Sequence, residues 1–288
     1  MAATDAGFKF GPYRAQTLVD ARFALDGGSM FGVVPRTIWE PLASPDGRNR
    51  IPLVARLLYL EGDGRRILVD TGLGDKWDAK RSQIFSVESH AGGVVEQLAA
   101  MGVGREQITD VIFTHLHFDH AAGTTYRDAD DELSLVFPEA LHHVQERHWE
   151  WAFHPTLKDS GSFRAEDFSV LAGSDRLRLL SGPTEIYPGI EVIPLFGHTM
   201  AMQAVRVGVP GEAVLFVADL VPTAAHLRWP YIMGFDNEPL TTLAEKQRLL
   251  LPAAEDGTVL IFEHDPEIAA VRLRSTDRGV EISERLEF

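Results

Sequence analysis

The sequence predicts an α/β fold in a single domain over residues 1–288, with an ordered N-terminal extension over about 1–45. Three observations carry that expectation. Short β-branched runs alternate with amphipathic stretches from end to end, and no Pro/Ser linker or compositional break divides them. Hydrophobic residues make up 45% and charged residues 24% of the 288, an ordinary globular balance.

In chain order, Leu53–Leu60 and Arg66–Val69 form a strand pair whose turn is Glu61-Gly62-Asp63-Gly64. Val94–Met101 is a helix with Gly102 as its left-handed cap. Ile108–Thr114, Leu133–Phe137 and Leu141–Val144 follow as strands, then a helix over Glu146–Phe153. Glu191–Leu195, Ala204–Val209 and Val214–Ala218 are further strands. Leu240–Leu251 is a helix that Pro252 should stop, and Val259–Phe262 is the last strand. Two apolar strands end in an Asp, Asp70 and Asp219, a hint of internal duplication. The first forty residues are less regular; Gly27-Gly28 with Phe23, Phe31 and Trp39 suggest an extension packed over the domain surface.

Composition removes several function classes. Lys and Arg total 27 against 42 Asp and Glu, a net charge of −15, so no footprint for a phosphate backbone is expected. No run approaches the roughly 20 apolar residues that span a bilayer, and the opening residues lack a signal-peptide pattern, which points to the cytoplasm. Cysteine is absent, so thiolate nucleophiles and thiolate ligands are excluded, and any metal must sit on His and carboxylate.

The informative segment is Thr114-His115-Leu116-His117-Phe118-Asp119-His120, placed where an apolar strand ends. In extended chain, His115 and His117 face the same way, while Asp119 and His120 swing toward a neighbouring point as a helix begins. Neutral imidazoles need partners to orient them as ligands, so such a cluster is costly unless used. Its ligands diverge in direction, which calls for two neighbouring cations completed from elsewhere. His198, Asp219 and His264 each follow an apolar strand and are the candidates.

These residues resemble the metallo-β-lactamase superfamily, whose hallmark is His-x-His-x-Asp-His followed by a distant His, a bridging Asp and a last His. The resemblance covers most of the chain and implies an αβ/βα four-layer sandwich with the metals at one edge of two sheets. It implies one cation on His115, His117 and His198 and another on Asp119, His120 and His264. Asp219 and a hydroxide would bridge them, Asp119 and Asp219 would serve catalysis, and Asp70 would support the ligands without binding metal. Two divalent metal ions are implied, zinc by default, with Fe, Mn or Co also compatible with such ligands.

Within the superfamily, Asp219 counts against the zinc β-lactamases, which lack that carboxylate. Too little chain follows His264 for a glyoxalase II tail, and the acidic surface opposes RNA-processing relatives. The remaining resemblance is to N-acyl homoserine lactonases and methyl parathion hydrolase-like phosphotriesterases. A metal-dependent lactonase is therefore expected, with a phosphotriesterase or arylesterase as the alternative and an iron-dependent oxidoreductase behind both. Two departures stand out. Classical lactonases carry Tyr three residues after the bridging Asp, where this chain has Pro222, so Tyr231 or His226 would have to supply a donor. The usual Gly-His after His198-Thr199 is replaced at Ala201-Met202.

Phe31, Trp149, Trp229, Tyr231, Met233, Phe235 and His226 are the expected pocket residues around a small-molecule substrate. His90, His142, His143, His148 and His154 are expected to be structural or exposed. No nucleic-acid or membrane partner is expected, and the extension is compatible with a homodimer.

Overall fold

The computed structural model describes residues 7–89, 93–209 and 211–288. Two mixed sheets stack face to face. The first, of eight strands, runs Phe8–Phe10, Tyr13–Asp26, Arg50–Gly62, Arg65–Val69, Asp110–Ile112, Leu141–Gln145 and Leu177–Leu180, with Glu88–Ser89 paired to Tyr13–Asp26. The second, of seven, runs Thr184–Tyr187, Ile190–Leu195, Met202–Val209, Glu212–Phe216, Val259–Ile261, Ala270–Thr276 and Gly279–Leu286.

Alternation along the inner strands builds the layers. Leu58 and Leu60 face inward to a core shared with Val205, Val207 and Phe216 of the second sheet, whereas Leu57 and Tyr59 face outward. On that outer face they meet Val94 and Leu98 of the helix Gly93–Ala100, and Ala152 of the helix Glu146–Phe153. The helix Pro239–Asp256 covers the strand Ala270–Thr276 of the other sheet. The αβ/βα sandwich expected from the sequence is the observed architecture.

Where the two differ, local physics explains it. The helix from Pro239 does not stop at Pro252 but continues to Asp256 and closes on Gly257 at φ 75°. Leu251 and Pro252 lie on its exposed side, where the missing N–H leaves a carbonyl that water can reach. Tyr13–Asp26 is a 14-residue strand inside the first sheet, paired along most of Arg50–Gly62, although that stretch carries no clear alternation. Phe23, Phe31 and Trp39 are buried in a third apolar cluster rather than lying on a surface. Phe31 stacks on Trp39 at 5.0 Å between ring centroids, and a Cβ on Gly27 would fall 2.3 Å from Trp39 Cη2, so only Gly fits that approach.

Candidate metal centre

Each polar residue of interest sits where a strand leaves a sheet at the same rim. The strand Asp110–Ile112 delivers His115 and His117; the one-turn helix Phe118–Ala121 then carries Asp119 and His120. His198 follows Ile190–Leu195, Asp219 follows Glu212–Phe216 and His264 follows Val259–Ile261. Asp70 leaves its strand at φ 62°, and Ala218 turns Asp219 inward at φ 47°. Left-handed conformations at such residues cost energy and persist only where the surroundings enforce them.

The seven side chains converge and are buried, none more than 7% exposed. Ligand atoms of His115, His117, His198 and Asp219 lie within 4.8 Å of one another, as do those of Asp119, His120 and His264. His117 Nδ1 lies 3.1 Å from His115 Nε2 and 3.2 Å from His198 Nε2; His264 Nε2 lies 3.2 Å from His120 Nε2. Asp219 stands between the groups, Oδ2 at 3.2 Å from His198 Nε2 and Oδ1 at 3.0 Å from His264 Nε2. A tetrahedral zinc with Zn–N near 2.05 Å would space its nitrogens by about 3.3 Å. The inward nitrogens have that spacing, so the donor set fits a divalent cation. Asp219 Oδ1 is buried and, although 3.0 Å from His264 Nε2, has no well-aligned hydrogen bond, as suits a ligand atom.

Four of the five outward nitrogens are held in place, and His117 Nε2 is buried without a hydrogen-bond partner. His115 Nδ1 meets Thr114 Oγ at 3.1 Å, His198 Nδ1 meets Asp236 Oδ1 at 2.8 Å and His264 Nδ1 meets Val54 O at 2.8 Å. His120 Nδ1 lies 3.2 Å from Asp70 Oδ2 and 2.9 Å from Glu263 Oε1. Asp70 is itself fixed by the Thr114 N–H and hydroxyl at 2.7 and 2.5 Å. Such partners fix tautomer and ring direction.

Electrostatics divide the imidazoles. Burial, reinforced by neighbouring rings, pulls His115 and His117 well below the ordinary histidine range, leaving them neutral and able to donate lone pairs. Burial pulls His264 the same way, but Asp219 outweighs it and holds the ring up to about 9. Burial would raise Asp219, yet His264, His120 and His198 hold its carboxyl well below the usual range.

A cavity of about 270 Å³ opens onto the cluster. Leu25, Met30, Phe85, Phe118, Met233 and Phe235 form its apolar wall, and His117, Asp119, His198, Asp219 and His264 form its polar end. Outside the cluster its side-chain donors are Lys158 and Ser162. Of the seven residues expected from sequence, Met233 and Phe235 line this cavity. Phe31 stacks on Trp39 and on His226 behind it, and Tyr231 meets Phe31 edge-on at 6.0 Å. His226 is saturated by Thr223 Oγ and Met30 O; the Tyr231 hydroxyl takes a bond from Arg228. Trp149 packs beneath the first sheet with Phe153 and Phe168, and Trp229 packs on Gly279 of the last strand. An aromatic residue near a site in sequence need not face it.

Among the other histidines, His148 cross-links two ligand loops, accepting from Leu116 N–H and meeting Met200 O at 2.7 Å. His143 pairs with Asp110, His142 is buried against Phe113, His154 is exposed, and His90 lies outside the described residues. His142→Ala should keep any bound metal while costing about 2–4 kcal/mol through the cavity left behind. Elemental analysis together with a melting curve checks this, and loss of metal from a folded variant would contradict it.

Sequence reasoning passed over Asp236, Glu263 and Lys246. Lys246 is fully buried, its Nζ bonded to Arg228 O and Tyr231 O, so it anchors the loop that carries Met233, Phe235 and Asp236. Burial pulls its ammonium from 10.5 down to about 7, with Asp236 opposing. Between those values the unfolded chain holds a proton that the folded chain has released. Stability should therefore rise with pH across that window and be flat below it. Lys246→Met should abolish the rise, whose slope is at most about 1.4 kcal/mol for each tenfold fall in proton concentration. Melting curves at pH 7 and pH 9.5 that move in parallel for both proteins would contradict it.

A family model described as the Metallo-beta-lactamase superfamily matches residues 53–264, the span that holds every one of these ligands. The chain belongs to that superfamily. It is accordingly an enzyme of the metallo-hydrolase class, with His/Asp clusters that fit a metal site. The N-acyl homoserine lactonase AttM of Rhizobium johnstonii is 27% identical over 210 residues, 70% of this chain and 75% of that one. A probable metallo-hydrolase of Mycobacterium tuberculosis is 24% identical over 278 residues, 86% and 85% of the two chains. A crystal structure of a probable metal-dependent hydrolase from Staphylococcus aureus superposes with TM-score 0.87 at 26% identity, covering 98% and 99%. The dizinc quorum-quenching lactonase AidC, solved with a product, superposes with TM-score 0.80 at 18% identity over 98% of each chain, a likeness of fold. Among the described residues no helix is long and apolar enough to cross a membrane.

Proposed function

We propose that this chain is a dinuclear metal-dependent hydrolase that opens lactone rings bearing an apolar acyl tail. The observation that carries the reading is a two-part His/Asp cluster forming the polar end of an apolar cavity. His115, His117 and His198 would hold one cation, Asp119, His120 and His264 the other, with Asp219 between them. When bound, the pair would lower the pKa of water toward neutrality and polarise the scissile carbonyl.

The chain's own residues supply the rest. Leu25, Met30, Phe85, Met233 and Phe235 bury the tail and hold the ring against the cluster. Attack by the water oxygen forms a C–O bond to the carbonyl carbon as the ring C–O bond breaks. Asp119, at the cavity surface of the cluster, takes the water proton and returns it to the departing alkoxide. Lys158 and Ser162 are the donors available to the rest of the substrate.

One observation favours a second substrate class. Pro222 stands where classical lactonases carry Tyr, and its carbonyl accepts the His264 N–H at 3.0 Å, so no hydroxyl reaches the carbonyl from that position. An aryl ester or phosphotriester, with a better leaving group, depends less on such a donor. Measuring kcat/KM for short- and long-chain acyl homoserine lactones and for an aryl phosphotriester on one metal-loaded preparation decides. The reading requires lactones to be preferred and long acyl chains over short ones. A phosphotriester preference establishes the second class, and inactivity on all of them overturns both.

A further inference from the structure

One buried carboxylate beside the cluster has no part in the proposed ligand set. Glu263 precedes His264, is 1% exposed, and places Oε1 2.9 Å from His120 Nδ1, while its Oε2 is buried without a hydrogen-bond partner. The same nitrogen lies 3.2 Å from Asp70 Oδ2. An imidazole Nδ1 carries one hydrogen at most, so two carboxylates converge on a single N–H. Asp70 has other partners in the Thr114 N–H and hydroxyl. Arg56 spends its guanidinium on the Phe262 and Asp265 carbonyls.

Two buried carboxylates behind one ring are costly unless positive charge offsets them. A cation on the opposite nitrogen, His120 Nε2, supplies that charge through the ring, because an N–H donated to a carboxylate makes the other nitrogen a stronger ligand. The other rings are backed differently: His115 by a hydroxyl, His198 by one carboxylate, His264 by a backbone carbonyl, and His117 Nε2 by no hydrogen-bond partner. The doubled carboxylate is therefore confined to one of the two metal positions.

The geometry points to Glu263 as a positioning residue that, together with Asp70, strengthens His120 as a ligand and so tightens the cation held by Asp119, His120 and His264. This rests on the dinuclear reading given above. The test titrates metal-free protein with zinc in competition with a chromophoric chelator, which returns two dissociation constants without any activity assay. Wild type should show two sites. Glu263→Gln should weaken one of them by roughly 10–100-fold and leave the other within about threefold, with the weakened site the one that Asp70→Asn also weakens. Glu263→Asp, which keeps the carboxyl group on a shorter arm, should fall between wild type and Glu263→Gln. It also serves if the amide variant does not fold. Wild-type constants at both sites in either folded variant, or equal weakening of both sites, overturns the role of Glu263. A wild type that binds fewer than two zinc ions instead overturns the dinuclear reading.

Discussion

Asp219→Ala is expected to release both cations and to lower kcat/KM by about 10⁴-fold or more, the scale seen when groups that act as a unit are broken. Asp219 is placed between the two parts of the cluster, 3.2 Å from His198 Nε2, 3.0 Å from His264 Nε2 and 3.6 Å from His120 Nε2. Without it, five converging imidazoles and one carboxylate, Asp119, would face two dications about 3.5–4 Å apart. No anion would then stand between the positive charges, and Coulomb repulsion at that range in a water-poor site is many kcal/mol. The check is elemental analysis of protein passed through a desalting column, alongside the lactone assay. A folded variant that keeps both metals would show that Asp219 is not the bridge.

Gly197→Ala should be a strongly damaging change although it touches no proposed ligand. A Cβ there would fall 2.3 Å from Thr242 Oγ and 2.4 and 2.5 Å from Thr242 N and Cα. Backbone at the head of a long helix cannot step aside as a flexible side chain can. The turn is also pinned: Phe196 and Gly197 donate their N–H groups to Glu245, Gly197 O accepts from Glu238 N, and His198 O accepts from Asn237 N. Relief must therefore move either the helix Pro239–Asp256 or His198. We expect a stability loss of about 3 kcal/mol, at the upper end for overpacking, together with weakened metal binding at His115, His117 and His198. Calorimetry and metal content measure both, and a variant matching wild type in each would contradict the packing argument.

Local signals carried most of what the sequence revealed. The His-x-His-x-Asp-His segment lies within one strand-to-helix turn, so its geometry follows from backbone periodicity, and the distant ligands each close a short apolar run. Tyr13–Asp26 is not legible as a strand because its alternation slips at a bulge between Val19 and Ala21. There Asp20 turns inward to accept the N–H groups of Leu73, Gly74 and Val94. A polar residue at an inward position reads as a loop until its partners are known. The cavity wall was legible only in part for a different reason. Met233 and Phe235 stand two apart in one short loop, whereas Leu25, Met30 and Phe85 reach the same wall from three separate elements that only the folded chain brings together. Glu263 and Asp236 were hidden likewise, since what each does is set by the ring it meets and not by its neighbours in sequence.

In the proposed arrangement His115, His117, Asp119, His120, His198, Asp219 and His264 hold a pair of cations at one rim of the two sheets. Anomalous diffraction at the zinc edge from crystals of zinc-loaded protein tests it directly. Two peaks should appear about 3.5–4 Å apart, one beside His115, His117 and His198 and the other beside Asp119, His120 and His264, with Asp219 touching both. A single peak, or none within reach of Asp219, would contradict it.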